Sequence, residues 1–166
     1  MIEFSVEGPF SITVTKGKAG KGIEKTNIKR FLDANHLHIV SRGVYVFAAR
    51  ASKGFVPWYI GRATTSFAQE CFTSDKINKF NEALRKFKRG TPVLFFIKHP
   101  TKRGAINKGA IAAVERELIK TAWRANRKLL NKHHTKEPQW AIRGVMRAKQ
   151  GQPTTSAQDL KTTLGL

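Results

Sequence analysis

The run Pro92-Val93-Leu94-Phe95-Phe96-Ile97 constrains this chain more than any other segment. It carries no charged or hydrogen-bonding side chain, so neither of its faces belongs in water. Such a run is a buried, central strand. The elements around it must therefore supply neighbouring strands and cover both faces.

Those neighbours can be read from the flanking sequence. Val44 to Ala48 is a strand candidate, preceded by a turn at Arg42-Gly43. A loop from Ala51 to Val56 leads through Pro57 to the strand Trp58-Tyr59-Ile60, which Gly61 ends. Two strands joined by a moderate loop pair antiparallel. Helical spacing appears in four places. Thr26 caps a helix through about Asn35, with Ile28, Phe31 and Leu32 on one side. Residues 66–72 form a short helix. Thr73 or Ser74 caps a longer one to about Arg89, with Ile77, Phe80, Leu84 and Phe87 inward and Gly90 as its stop. Residues 109–130 form the longest, burying Ile111, Val114, Leu118, Ile119 and Ala122.

At the N-terminus, Ile2, Phe4 and Val6 alternate, as do Phe10, Ile12 and Val14, with Gly8-Pro9 between them. This reads as a hairpin of two short strands. Lys16 to Gly22 reads as a flexible basic loop, without the GxxxxGK[ST] spacing of a Walker motif. From His133 the tail begins as a polar loop, Trp140 to Val145 adds a strand, and Ser156 caps a final helix ending at Gly165.

Charge narrows the function. Hydrophobic residues make up 40% of the 166, enough for a core, but 31 Lys and Arg against 11 Asp and Glu leave a formal charge of +20. Solubility asks for a net charge of only about 2–8, so a polyanionic partner is expected, and nucleic acid is the commonest. A membrane role is not expected. No apolar run approaches the ~20 residues of a spanning helix, and the opening Met1-Ile2-Glu3-Phe4 lacks a signal-peptide pattern. The single cysteine, Cys71, excludes an internal disulfide and fits a reducing compartment, with the cytoplasm as the expectation. It reads as a buried, inert thiol. No cysteine–histidine quartet suggests structural zinc.

One acidic residue stands out. Glu115 lies on the apolar stripe of the longest helix, four residues from Ile111 and four from Ile119. A carboxylate there needs a cation, a hydrogen-bond network or a metal. The bland reading is a boundary glutamate paired with a nearby Lys or Arg.

Glu115 belongs to a wider pattern. Gly43-Val44-Tyr45 and Tyr59-Ile60-Gly61 each place a tyrosine on a strand of the same predicted pair. A helical glutamate follows in Glu115-Arg116-Glu117-Leu118-Ile119-Lys120, then Asn131 in Leu129-Leu130-Asn131. This order resembles the GIY-YIG nuclease superfamily over roughly residues 42–132. The resemblance implies an α+β fold with a small three-stranded antiparallel sheet flanked by helices. Residues 1–40 and 133–166 would be short extensions of a domain spanning 41–132.

The resemblance further implies a metal-dependent endonuclease acting on DNA, with Mg²⁺ or Mn²⁺ bound by Glu115. Hard oxygen ligands favour those ions. Tyr45 and Tyr59 would position or deprotonate the attacking water. Asn131 would hold local structure, and Gly61 would let the backbone turn close to the phosphate. Free tyrosine ionises near ~10, so neighbouring cations and a metal would have to assist.

Two departures stand against the family pattern. Counting from the second motif places Gln69 where an arginine usually neutralises the scissile phosphate. Arg62, Lys76 and Lys79 are the candidate replacements. The gap between the tyrosine motifs is also long. Two readings follow: an active nuclease with a relocated cation, or a degenerate domain that only binds nucleic acid. A third, an RNA- or ribosome-associated basic protein, explains the charge but not the tyrosine–glutamate pattern.

The basic residues fall in three clusters, Lys16–Lys25, Lys76–Arg89 and Lys98–Lys108, suited to backbone contact with weak or structure-based specificity. Trp58, Trp123 and Trp140 would stack on bases where exposed, although Trp58 and Trp123 read as core. His36 and His38 read as structural, and His133-His134 as solvated. A monomer is expected, with a transient dimer for cutting both strands.

Overall fold

The computed structural model describes residues 1–17, 20–52, 54–87, 89–101, 104–135, 142–146 and 153–165. Its apolar run lies in β6 (Thr91–Lys98), inside a four-stranded antiparallel sheet of order β1-β6-β4-β5. The other strands are β1 (Ser5–Ser11), β4 (Gly43–Ala51) and β5 (Gly54–Ala63). The fold is α+β. Both edges of β6 are paired, which is why a strand with no polar side chain is stable there.

The sheet has four strands rather than the three expected, because the N-terminus is not a hairpin. Gly8-Pro9 is a bulge inside one strand: Glu7 pairs with Phe96, the register shifts, and Phe10 pairs with Leu94. An interrupted alternation looks the same in sequence whether the chain turns back or bulges. Glycine is required there. Gly8 has φ 109°, and a Cβ on it would come within 2.7 Å of the Leu94 carbonyl oxygen. Part of the segment expected to be a loop, Lys16 to Gly22, forms a second, two-stranded sheet of β2 (Thr15–Gly17) and β3 (Gly20–Gly22).

The β4–β5 pair is longer than expected. It runs from Gly43 opposite Ala63 to Ala51 opposite Gly54, with one register shift after Phe47. The extra residues between the tyrosine motifs therefore lengthen the hairpin, and Tyr45 stays opposite Gly61.

Helices cover both faces. On one lie α1 (Lys25–Ala34), α3 (Phe67–Glu70) and α4 (Ser74–Lys86), around Tyr45, Phe47, Tyr59, Leu94 and Phe96. Phe47 stacks on Phe80 of α4 with ring centroids 4.3 Å apart, and Phe67 of α3 stacks on Phe96 at 4.4 Å. On the other lies α5 (Lys108–Ala125), whose Ile111, Ile119 and Ala122 bury against Val44, Ile60 and Ile97. Val114 and Leu118 are only partly buried.

Several helix ends differ from expectation. α1 is capped by Glu24 in a reciprocal box with Asn27, not by Thr26. The short helix α2 (His36–Ile39) follows it. α4 stops at Lys86, and α5 at Ala125 rather than residue 130.

Residues 1–135 form one compact unit, and 136–166 form a second. Residues 1–40 belong to the first, since β1 is a strand of the sheet. The second unit contains an Ile142–Met146 bridge and α6 (Thr155–Thr163), capped by Thr154 rather than Ser156. The expected strand from Trp140 to Val145 begins outside the described residues. Among the described residues, no helix is long and apolar enough to cross a membrane.

The tyrosine and glycine motifs interlock sterically. A Cβ at Gly61 would collide with the Tyr45 ring and hydroxyl, and one at Gly43 would collide with the Ile97 carbonyl oxygen. Tyr45 itself is fully buried, and its hydroxyl has no hydrogen-bond partner among the described residues. Gly61→Ala should therefore lower the unfolding free energy by about 1–3 kcal/mol through overpacking. Tyr45→Phe, which deletes a hydroxyl that nothing holds, should change it by less than about 1 kcal/mol. Urea titrations of the two variants, monitored by circular dichroism, check both.

Candidate functional site

A cleft of about 340 Å³ opens beside the end of β5. Side chains alternate across a strand, so Tyr59 and Arg62 leave β5 on opposite faces. Tyr59 faces α4, where Lys76 Nζ lies 5.4 Å and Lys79 Nζ 5.1 Å from its ring centre. Arg62 faces α5, where its guanidinium lies 3.6 Å from the Glu115 carboxylate. The cleft gathers both sets around the strand edge, together with Asn131, Lys132, His133 and His134.

The edge itself is closed by the segment after α5. Asn126 Nδ2 donates to the Pro57 carbonyl at 2.8 Å, and the Leu130 amide donates to the Trp58 carbonyl at 2.9 Å. Asn131 then grips Ile60 twice. Its Oδ1 accepts from the Ile60 amide at 2.9 Å, and its Nδ2 donates to the Ile60 carbonyl at 2.7 Å. One side chain thus imitates the pairing of another strand, and it sets residues 132–134 over Glu115.

The electrostatics are uneven. Among the described residues, Glu115 is the one carboxylate lining the cleft, against Arg62, Lys76, Lys79 and Lys132. Its side chain is 18% exposed, that of Arg62 50%. Burial raises the Glu115 carboxyl above its ordinary value, while Arg62, His134 and Lys76 oppose the rise without cancelling it. Lys76 behaves differently. Burial works against its charge, but the Tyr59 oxygen and Asp75 outweigh it and hold its ammonium above the ordinary value. Asp75 bridges Lys76 and Lys79 at 3.1 and 2.8 Å, which fixes both beside Tyr59.

The expected site residues divide. Tyr59, Arg62, Lys76, Lys79, Glu115 and Asn131 line the cleft. Gly61 lies beneath them, opposite Tyr45. Tyr45 does not line the cleft. Burial drives its hydroxyl far above the ordinary tyrosine value, with nearby Cys71, Tyr59, Glu115 and Glu70 adding to the rise. A phenol so disposed cannot take a proton from water at neutral pH. Gln69 is exposed on α3, outside the cleft, and its backbone N–H donates to the Ser66 hydroxyl at 3.2 Å. Cys71 is buried, and burial pushes its thiol well up.

Sequence reading assigned no site role to Lys132, His133 or His134, which line the cleft, although the two histidines are exposed, as a solvated pair should be. The two histidines read as solvated because they follow a polar stretch with no periodicity. Their place in the cleft comes from the Asn131 anchor and from a backbone turn at His134. Its φ of 62° is the one positive value among described non-glycine residues. Such a conformation is uncommon outside glycine and marks a position held by its surroundings.

No protein-family model matches this chain, and neither a curated protein nor a solved structure does.

As to a metal, no group of three or more His, Cys, Asp or Glu stands together among the described residues. A cage made only of protein ligands is thus not what Glu115 offers. Its single oxygen donor suits Mg²⁺ or Mn²⁺, which keep several waters and take further ligands from a substrate phosphate.

The raised Glu115 value has a stability consequence. Unfolded glutamate titrates near ~4.3. The folded value lies higher, so between the two the native state binds the proton more tightly. This contribution is full below ~4.3 and is lost as pH rises through the folded value. Glu115→Gln should therefore be more stable than the parent at pH 7, with the difference shrinking at pH 4. Urea unfolding at the two pH values measures it. A less stable glutamine variant at pH 7 would mean that the Arg62 pair outweighs the burial.

Proposed function

We propose that this chain is a metal-dependent endonuclease that hydrolyses phosphodiester bonds of DNA, built on a GIY-YIG-like domain. The observation that carries the reading is the convergence of Tyr59, Arg62, Glu115 and Asn131 on one cleft rimmed by lysines. A structural ion pair would need Arg62 and Glu115 alone. It gives no reason for two further lysines clamped beside a tyrosine at the same place. With a net charge of +20, the natural occupant of the cleft is a phosphate chain.

In this reading Lys76, Lys79 and Lys132 bind the phosphates. Arg62 stands between Glu115 and the scissile phosphate and neutralises its equatorial oxygens, the work that Gln69 cannot do without charge. Tyr59 orients the attacking water from the α4 side. Asn131 keeps the β5 edge rigid, so that these groups hold their spacing. Glu115 would hold Mg²⁺ or Mn²⁺, which would supply Lewis-acid stabilisation of the charge that develops on the phosphate. The water oxygen bonds to phosphorus as the ester P–O bond breaks, and the proton that the water gives up passes to the departing oxygen. Tyr45 serves by filling the space over Gly61. The three strands β4, β5 and β6 would be the catalytic sheet, with β1 an addition.

A second reading is favoured by two observations: the sealed Tyr45 hydroxyl and the exposed Gln69. It is a domain that binds nucleic acid without cutting it.

One experiment separates the two. Purified protein is incubated with supercoiled plasmid, single-stranded DNA and structured RNA, each with EDTA, Mg²⁺ or Mn²⁺. Metal-dependent nicking of DNA is expected, absent in Glu115→Ala and lowered about 10²–10³-fold in Arg62→Ala. Salt-sensitive binding with no cutting under any condition would establish the binding module instead. Cutting confined to RNA would overturn the substrate.

A further inference from the structure

A second recess, about 520 Å³, lies on the other side of Leu130 and Asn131, which line it and the cleft alike. Its walls include Lys86 from the end of α4, Trp123 from the last turn of α5, and Arg127 and Lys128 from the segment beyond. No acidic side chain lines it among the described residues. Trp123 is half-buried, and the Arg127 guanidinium lies over its ring at 5.5 Å.

An indole face topped by a guanidinium, with further cations on either side, suits one occupant. Nucleobases stack on tryptophan and on arginine planes, and their phosphates seek lysines. Lys86 is already paired with Glu82 at 2.7 Å, but with no carboxylate in the described lining the recess as a whole suits an anionic occupant better than an apolar protein segment. A base held inside a duplex has no free face to offer, so the base taken here must be unpaired. Because Leu130 and Asn131 form the wall between the recess and the cleft, one strand can run from the first into the second.

We propose that this recess binds an unpaired nucleotide of the strand whose phosphate enters the cleft, so that the protein prefers DNA with a single-stranded segment beside the scissile bond. The inference rests on the cleft being a phosphodiester site. It goes beyond that reading in specifying the form of the substrate.

The test is equilibrium binding in EDTA, where no cutting is required. The full chain is titrated with a fluorescent blunt duplex and with the same duplex carrying a single-stranded extension. The wild type should bind the extended duplex about tenfold more tightly, within the range for one stacked base. Trp123→Ala and Arg127→Ala should each abolish that preference, and Trp123→Phe should keep most of it. Trp123 also packs toward the sheet, so circular dichroism accompanies its variant. If Trp123→Ala unfolds, the exposed Arg127 carries the test. Equal binding of the two duplexes by wild type overturns the proposal, as does a preference that survives Arg127→Ala. Failure of the cleft reading looks different: DNA is not cut with metal present, or is cut equally well by Glu115→Ala.

Discussion

Closure of the free edge of β5 is the constraint on which the rest of this site depends. An edge strand presents unpaired amides and carbonyls that must find partners. Here they find Asn126, Leu130 and Asn131 in place of another strand. A whole strand would have continued the sheet and buried the place where Tyr59 and Arg62 emerge. A short segment bonded mainly through side chains satisfies Pro57, Trp58 and Ile60 and then turns away. The space it leaves on one side is the cleft, and on the other the recess beside Trp123. Asn131 thus has two structural roles: it completes hydrogen bonding at Ile60, and it divides the two concavities.

The charge pattern follows from this geometry. Glu115 is carried inward by the apolar stripe of α5, where burial disfavours its ionised form. The cations arrive from three separate elements: Arg62 from β5, Lys76 and Lys79 from α4, and Lys132 from the closing segment. None is adjacent in sequence to Glu115. Glu115 is thus a mostly buried carboxylate surrounded by positive charge.

Much of the fold was legible because its signals are local. Pro92 to Ile97 could only be buried, and the inward faces of α4 and α5 were written in helical spacing. Glu115 was legible for the same reason, being a charge on an apolar stripe. What the sequence hid was non-local. Gly8-Pro9 interrupts an alternation without saying whether the chain reverses, and only pairing with β6 decides. The ends of β4 and β5 beyond the core, around Arg50 and Phe55, lack the alternation that would have extended the strands. Nothing in Asn126 to Leu130 breaks a helix, yet α5 ends at Ala125 because Asn126 has a partner in Pro57. The place of His133 and His134 in the cleft follows from that same detour.

Tyr45 and Gly61 belong to one object: a phenol ring laid over a residue that has no side chain. The volume at the two positions is shared, so neither can change size alone. Drift at this pair would therefore be correlated. A chain of this fold that carries a methyl or anything larger at position 61 loses stability unless position 45 shrinks with it. A tyrosine retained at 45 favours glycine at 61, whether or not the protein cuts anything. Retention of the two together in other sequences would thus testify to packing first, and only the residues around Glu115 would speak to chemistry.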